Sequence, residues 1–529
     1  MKLALDRGHL DALVSTFPRL EALQEQLKLG DKVQLASNTL APPEMDRLIE
    51  LYRAEGPPYQ LKVAQLTTLR GMLSAADTRY GPDDLELFLV DLTRALVDQC
   101  QRGWLFAADI SNRPLPYVVT RLDFTPANHD ESGRIFVELK ANAKGALANS
   151  LMRVMSKDIE DRTFGEVLLS KGFLLETPEL LKSYDATAAR YFEWRAKYGV
   201  LFAAQGRGFY AEDPTASRRD TDWTRKDMVV LSASGGKARL VNDESILTDR
   251  ALTLDVPGEV LAAYLRRAAK SSDYDHEDAL RALADRVPEA MFTQVPVHAF
   301  MLMFHLDLHH YVWVHVEDME LYAYQPHLKG KLVLPPEQTE LIDILTAEMD
   351  VLMDDIVEGK SGGTTVLCAG PPGVGKTLTA EVYSEIIGRP LYRVHSGQLG
   401  LNVAQMETAL KDVLTRAQRW GAVMLIDEAD VYIKRRDDDM TMNAVVGVFL
   451  RVLEYFNGLL FLKTNRVEDI DEAIVSRCIA MIRFHPPDRE SRVRIWQVML
   501  DQFGLPVAEH VVQDLADLFP DASGRDIKG

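Results

Sequence analysis

Eight consecutive residues constrain this chain more than any other stretch. Gly370, Pro371, Pro372, Gly373, Val374, Gly375, Lys376 and Thr377 spell G-x-x-x-x-G-K-[ST]. An apolar run, Thr365 to Ala369, precedes them, and an amphipathic run, Leu378 to Ile387, follows. Strand, glycine-rich turn and helix in that order form the context in which this spelling cradles a phosphate. Gly373 and Gly375 let backbone N–H groups curl around an anion with no Cβ in the way. A helix starting near Lys376 points its positive end at the same place. Lys376 suits the β- and γ-phosphates of a nucleotide, and the Thr377 hydroxyl suits Mg²⁺. Residues 370–377, with Leu378 behind them, are therefore the expected nucleotide-binding segment.

A chain of 529 residues is too long for one core, and about two to four domains are expected. The net charge of −19 argues against an electrostatic grip on nucleic acid or anionic membrane. Cys100, Cys368 and Cys478 are scattered and form no CxxC pair, which suits a reducing compartment. Met1 to Leu10 lacks the apolar core of a signal peptide, and no run approaches a membrane span. The expected location is cytoplasmic.

Residues 1–105 read as a helical module. Pro43 opens a helix with Met45, Leu48, Ile49 and Tyr52 on one face, and Pro82 opens another with Leu85, Phe88, Leu89, Leu92 and Leu96. Residues 106–330 read as an α+β domain of no assignable role. Strands at 117–124 and 134–139 flank a turn, helical segments are expected around 150–160 and 178–198, and Gly235 and Gly236 suggest a hairpin. Another hairpin pairs 298–306 with 309–324. His298, His305, His309, His310 and His315 crowd around it, but their spacing follows no metal-ligand pattern, and strand histidines are the better reading. A helix from Pro335, with Leu341, Ile342, Leu345, Met349 and Leu352 apolar, leads into an α/β core over 331–487.

Inside that core, Ala422 to Ile426 is an apolar run ending in Asp427 and Glu428. That is a buried parallel strand with its carboxyl tip at the phosphates. Asp427 is placed for the Mg²⁺ shell and Glu428 to polarise an attacking water. A further strand from Gly458 ends in Asn465, which can hold that water from the other side. Arg477 can reach the γ-phosphate of a neighbouring subunit and stabilise transition-state charge; a local ion pair is its alternative. Lys463, beside this strand's tip, has no account in the sequence.

Together these residues resemble the AAA family of P-loop ATPases over about 335–529. The resemblance rests on Gly370–Thr377 (Walker A), Leu425–Glu428 (Walker B), Thr464–Arg466 (sensor 1) and Ser476–Arg477 (arginine finger). Ile356 belongs to a lead-in that looks like the family's adenine-lining segment. The resemblance implies a P-loop NTPase parallel sheet with a helical lid over 488–529, and ATP and Mg²⁺ as cofactors. It also implies a homo-oligomeric ring, hexameric by preference, with ATP at the subunit seams. Ser523 to Ile527 resembles the start of the sensor-2 helix, with Arg525 where many members carry alanine. The lid ends at Gly529 and is incomplete by the family's measure. Protein-threading members usually carry an aromatic residue in a pore loop; the corresponding 396–402 offers only Leu399 and Leu401. The expected activity is ATP hydrolysis that remodels or disassembles a protein partner held through residues 1–330. The alternative is an ATP-gated scaffold or switch acting on a bound effector. A nucleic-acid motor or loader is disfavoured by the acidity.

Overall fold

The structure is a computed structural model. It describes the chain except residues 1, 30–31, 37–38, 75–77, 110, 128–130, 214–227, 233–235, 248–250, 254–273, 348–362, 401, 437–439, 467 and 529. Ile356 lies outside the described residues, as do Met349, Leu352 and Leu401.

The first part is mostly helical, as its periodicity predicts, with one difference. β1 (Lys2–Asp6) pairs antiparallel with β2 (Lys32–Ala36). Leu3, Leu5, Val33 and Leu35 are buried from this pair, so the alternation of a short ladder was hidden among longer helical patterns. A five-stranded sheet follows, with β3 (Trp104–Ala108), β4 (Pro114–Thr125), β5 (Arg134–Ala143), β6 (Ala146–Met155) and β7 (Phe173–Leu175) in the order β6-β5-β4-β3-β7. The expected hairpin is β4 with β5. The expected helix around 150–160 is instead the edge strand β6, followed by one turn, Ser156–Ile159. The first helices and this sheet share one apolar core, with Phe88, Leu89 and Leu105 fully buried.

A second sheet has seven strands: β8 (Leu201–Ala204), β9 (Arg207–Tyr210), β10 (Val229–Val230), β11 (Ala238–Asn242), β12 (Phe300–His305), β13 (His310–His315) and β14 (Met319–Leu321). Its order is β10-β9-β13-β12-β11-β8-β14. β12 and β13 form the expected hairpin. Gly235 lies outside the described residues, and among those described the two strands of the hairpin expected through Gly235 and Gly236 do not pair: β10 pairs with β9, whereas β11 pairs with β8 and β12. Distant partners that bury Leu240 and Val241 outweigh the local turn signal.

The last sheet is parallel throughout: β15 (Thr364–Ala369), β16 (Leu391–His395), β17 (Val423–Asp427), β18 (Leu459–Thr464) and β19 (Ala480–Arg483), in the order β16-β17-β18-β15-β19. All residues of β15 and β17 are buried, as both-face burial of a parallel sheet requires. Helices Arg489–Phe503, Glu509–Leu518 and Gly524–Lys528 follow. Of the helix Pro336–Ala347, Ile342 is buried, whereas Leu341 and Ile344 are exposed.

The seven-stranded and parallel sheets share a core. Phe304 of β12 packs against Tyr392 of β16 and Trp420 of the helix Val403–Trp420, with ring centroids 5.6 and 5.0 Å apart. Asp243, with no exposure, accepts two hydrogen bonds from Arg419 at 2.7 and 2.5 Å and one from the Tyr311 hydroxyl at 2.7 Å.

Candidate functional site

The carboxyl ends of β15, β17 and β18 lie side by side because β18 is threaded between the other two. Residues immediately after these strands therefore meet at one edge of the sheet, where open α/β sheets bind ligands. After β15 the chain turns through Gly373 (φ +84°) and Gly375 (φ +98°) into the helix Lys376–Ile387. A side chain at Gly373 would drive its Cβ to 2.5 Å from the Ser523 hydroxyl, so only glycine lets the lid approach here. The loop and the helix's first turn form one wall of a cavity of about 960 Å³.

Pro372, Gly373, Val374, Gly375, Lys376, Thr377 and Leu378 line that cavity. Glu428, Asn465 and Arg525 face it from the other sides, and Ile495, Val498 and Met499 give an apolar wall from the lid helix. Gly370 and Pro371 are not among its lining residues; their carbonyls accept hydrogen bonds from Lys376 Nζ, both at 2.6 Å. Arg477 is not among them either. It is exposed and pairs with Glu454.

Glu428 leaves β17 with φ +57°, unusual for a residue with a side chain. Its turn is held by Ala429 N–H donating to the Lys463 carbonyl at 2.9 Å. Asp430 fixes the neighbouring tip: its Oδ1 accepts from the Thr464 hydroxyl, and from Asn465 N–H at 3.2 Å. Asn465 and Glu428 thus follow neighbouring strands and both line the cavity.

Asp427 is buried and doubly ion-paired. Lys463 Nζ of β18 lies 2.6 Å from Oδ1, and Arg393 of β16 donates to Oδ2 at 2.5 Å. Burial pushes the Asp427 carboxyl up, but Lys463 and Arg393 outweigh that and hold it below the usual carboxylate range. Lys376 is lowered to about 8, first by burial and then by the nearby Lys463. Sequence reasoning singled out Lys463 without a role and missed Arg393. A charged residue in the middle of a buried parallel ladder was the available signal. The Thr377 hydroxyl and Asp427 carboxylate are the hard oxygen donors Mg²⁺ prefers, so the donor set fits the metal once Asp427 exchanges a cation partner.

Leu399 does not face a pore. It is 2% exposed, inside the core beneath the helix Val403–Trp420. The Tyr432 hydroxyl donates to the Ser396 and Gly400 carbonyls at 2.7 and 3.1 Å, pinning the loop from below. The histidines of the second sheet bond to backbone: His298 Nε2 to the Pro116 carbonyl at 2.9 Å and His305 Nε2 to that of Leu231 at 3.0 Å. Burial lowers His298 to about 4. Among the described residues no group of three or more His, Cys, Asp or Glu side chains is placed to hold a metal.

A parallel sheet with this strand order, a phosphate-type loop after one strand and an acidic pair after another, defines an α/β P-loop NTPase fold. Residues 366–486 match the family model "ATPase family associated with various cellular activities (AAA)". This segment resembles an AAA ATPase domain. A rat relative, "ATPase family AAA domain-containing protein 3A", is 29% identical over 36% of this chain and 33% of its own length. "Peroxisomal ATPase PEX1" of Cricetulus griseus is 32% identical over 31% of this chain and 14% of its own. The "Uncharacterized AAA family ATPase y4kL" of Sinorhizobium fredii is 30% identical over 31% and 51%. The chain thus spans about a third of the length of the AAA domain-containing protein 3 relatives it matches. Among the described residues no helix is long and apolar enough to cross a membrane.

Proposed function

We propose that this protein binds ATP with Mg²⁺ and hydrolyses it in a homo-oligomeric ring, hexameric by preference. The released energy remodels or disassembles a protein partner held through residues 1–330. One observation carries the reading: Lys376, Thr377, Glu428, Asn465 and Arg525 line a single cavity, the distribution of roles that phosphoryl transfer needs. Pro372–Leu378 hold the triphosphate over the turn begun by Gly370 and Pro371, Thr377 and Asp427 would hold the metal, Glu428 polarises the water, and Asn465 orients it. Arg525 faces the nucleotide from the lid. Arg477 acts in the neighbouring subunit's site after exchanging its pairing with Glu454. The test is Glu428→Gln, which keeps ATP binding and loses at least about 100-fold in turnover, as loss of a general base does. Wild-type turnover in that variant overturns the role. Mixing Arg477→Ala chains with Lys376→Ala chains tests the shared site. Mixed rings regain activity if the arginine works in trans, and stay inactive if it does not.

A second reading, an ATP-gated scaffold acting on a bound effector, is favoured by the burial of Leu399. A loop tied down at both ends is poorly suited to gripping a polypeptide. Fluorescent peptide that becomes protected in the ring during turnover supports remodelling. Partner activity that follows nucleotide state with no peptide uptake supports the gate.

A further inference from the structure

Lys463 has no part in the reaction outlined above, yet it is built into the middle of the site. It stands in β18, whose other residues are buried, two positions before Asn465. A charged side chain in such a ladder must find an anion, because an unpaired ammonium in a poorly hydrated place is costly. It finds Asp427, 2.6 Å away, and its side chain is only 18% exposed. Arg393 takes the other oxygen of the same carboxylate from the strand on the opposite side of β17. Both cations also line the cavity, beside Lys376. The residue that would be the metal's carboxylate ligand is therefore already neutralised, and the Lys463–Asp427–Arg393 cluster leaves one net positive charge beside the loop lysine.

Those two facts act with the same sign. An ammonium beside the pocket attracts a metal-free polyanionic nucleotide. The same ammonium repels a divalent cation and competes with it for Asp427. We propose that Lys463 is a tethered cation sharing the metal position, so that nucleotide binding depends only weakly on divalent metal and Mg²⁺ reaches Asp427 by displacing it. This rests on the reading of the cavity as an ATP site. Lys463 is a positioning and charge-setting residue, not one that touches the reacting atoms.

The test uses the full chain and N-methylanthraniloyl-ATP, with affinity measured by fluorescence anisotropy in EDTA and in excess Mg²⁺. The readout is the ratio of the two dissociation constants, which a purely structural role would not move. Lys463→Met keeps the apolar stem and removes the charge. Its EDTA-to-Mg²⁺ ratio rises at least about tenfold over wild type, as loss of one charge-assisted contact implies. Lys463→Arg keeps the wild-type ratio. An unchanged or smaller ratio in Lys463→Met overturns the inference. Should Lys463→Met fail to fold, the wild type decides alone: a loss of affinity beyond about 100-fold on removing metal, roughly 2.7 kcal/mol, overturns it, and a smaller loss supports it. Absence of binding in both buffers overturns the ATP reading itself, and this inference with it.

Discussion

Glu428 and Lys376 have in common that the fold holds each in a state it would not choose alone. Glu428 takes a positive φ so that its carboxylate turns from the strand into the cavity, a backbone cost of about 1–3 kcal/mol that the flanking ladder must offset. Lys376 is held near 8, below its ordinary 10.5. The sign follows directly. A lysine whose pKa falls on folding makes the folded state less stable while charged, and stability recovers as pH rises from about 8 toward 10.5. Nucleotide affinity runs the other way, because only the ammonium holds phosphate. Affinity is full about a unit below pH 8, is halved near it and falls at least about tenfold by pH 9.5. Anisotropy titrations across that range check it, and a flat profile would remove Lys376 from the phosphate contact. At this scale the sequence was most legible where spacing alone fixes placement. The loop, Glu428 and Asn465 each follow the end of a recognisable strand, and parallel order brings the ends together. The Lys463–Asp427–Arg393 cluster was legible only as an unexplained lysine, because which side chains meet across three neighbouring strands depends on their register.

Among the elements, the segment after β16 changed meaning most. Its sequence suggested a weak pore loop, and the structure places Leu399 in the core with Tyr432 beneath. Leu399→Ala therefore acts as a core truncation: about 2–5 kcal/mol of stability lost, seen as a lower melting temperature. Turnover per folded molecule should be unchanged. Loss of turnover at full thermal stability would restore the pore assignment. Leucine alone cannot tell a buried anchor from an exposed grip, since both want an apolar side chain. The same ambiguity explains β6, an exposed edge strand read as helix. It also explains β10 and β11, where a glycine turn predicted a pairing that remote strands took instead. Local signals located elements well and chose partners poorly.

For the whole molecule, the expected boundary near residue 330 divides two sheets in sequence but not two cores in space. Arg419 reaches from the helix Val403–Trp420 to the unexposed Asp243, and Arg416 reaches Asp213 at 3.2 Å and the Tyr392 hydroxyl at 3.1 Å. Arg419→Ala strands a buried carboxylate with Tyr311 as partner and costs about 3–5 kcal/mol. Calorimetry should show the variant unfolding at lower temperature than the wild type, or in more steps. A superimposable trace would mean the two sheets are held by apolar packing alone. No motif announced this seam, since its charged residues look like ordinary surface positions until the opposing sheet covers them.

One small contact at this seam reaches further. Glu385, in the last turn of the helix that begins at Lys376, accepts from the Tyr322 hydroxyl at 2.7 Å and from Gln325 N–H at 2.9 Å. That helix of 12 residues is a rod about 18 Å long, with the glycine-rich loop at one end and the contacts to Tyr322 and Gln325 at the other. Over that length a tilt of a few degrees at the loop end would carry the Glu385 end by about an ångström, and Tyr322 and Gln325 are the groups it would reach first.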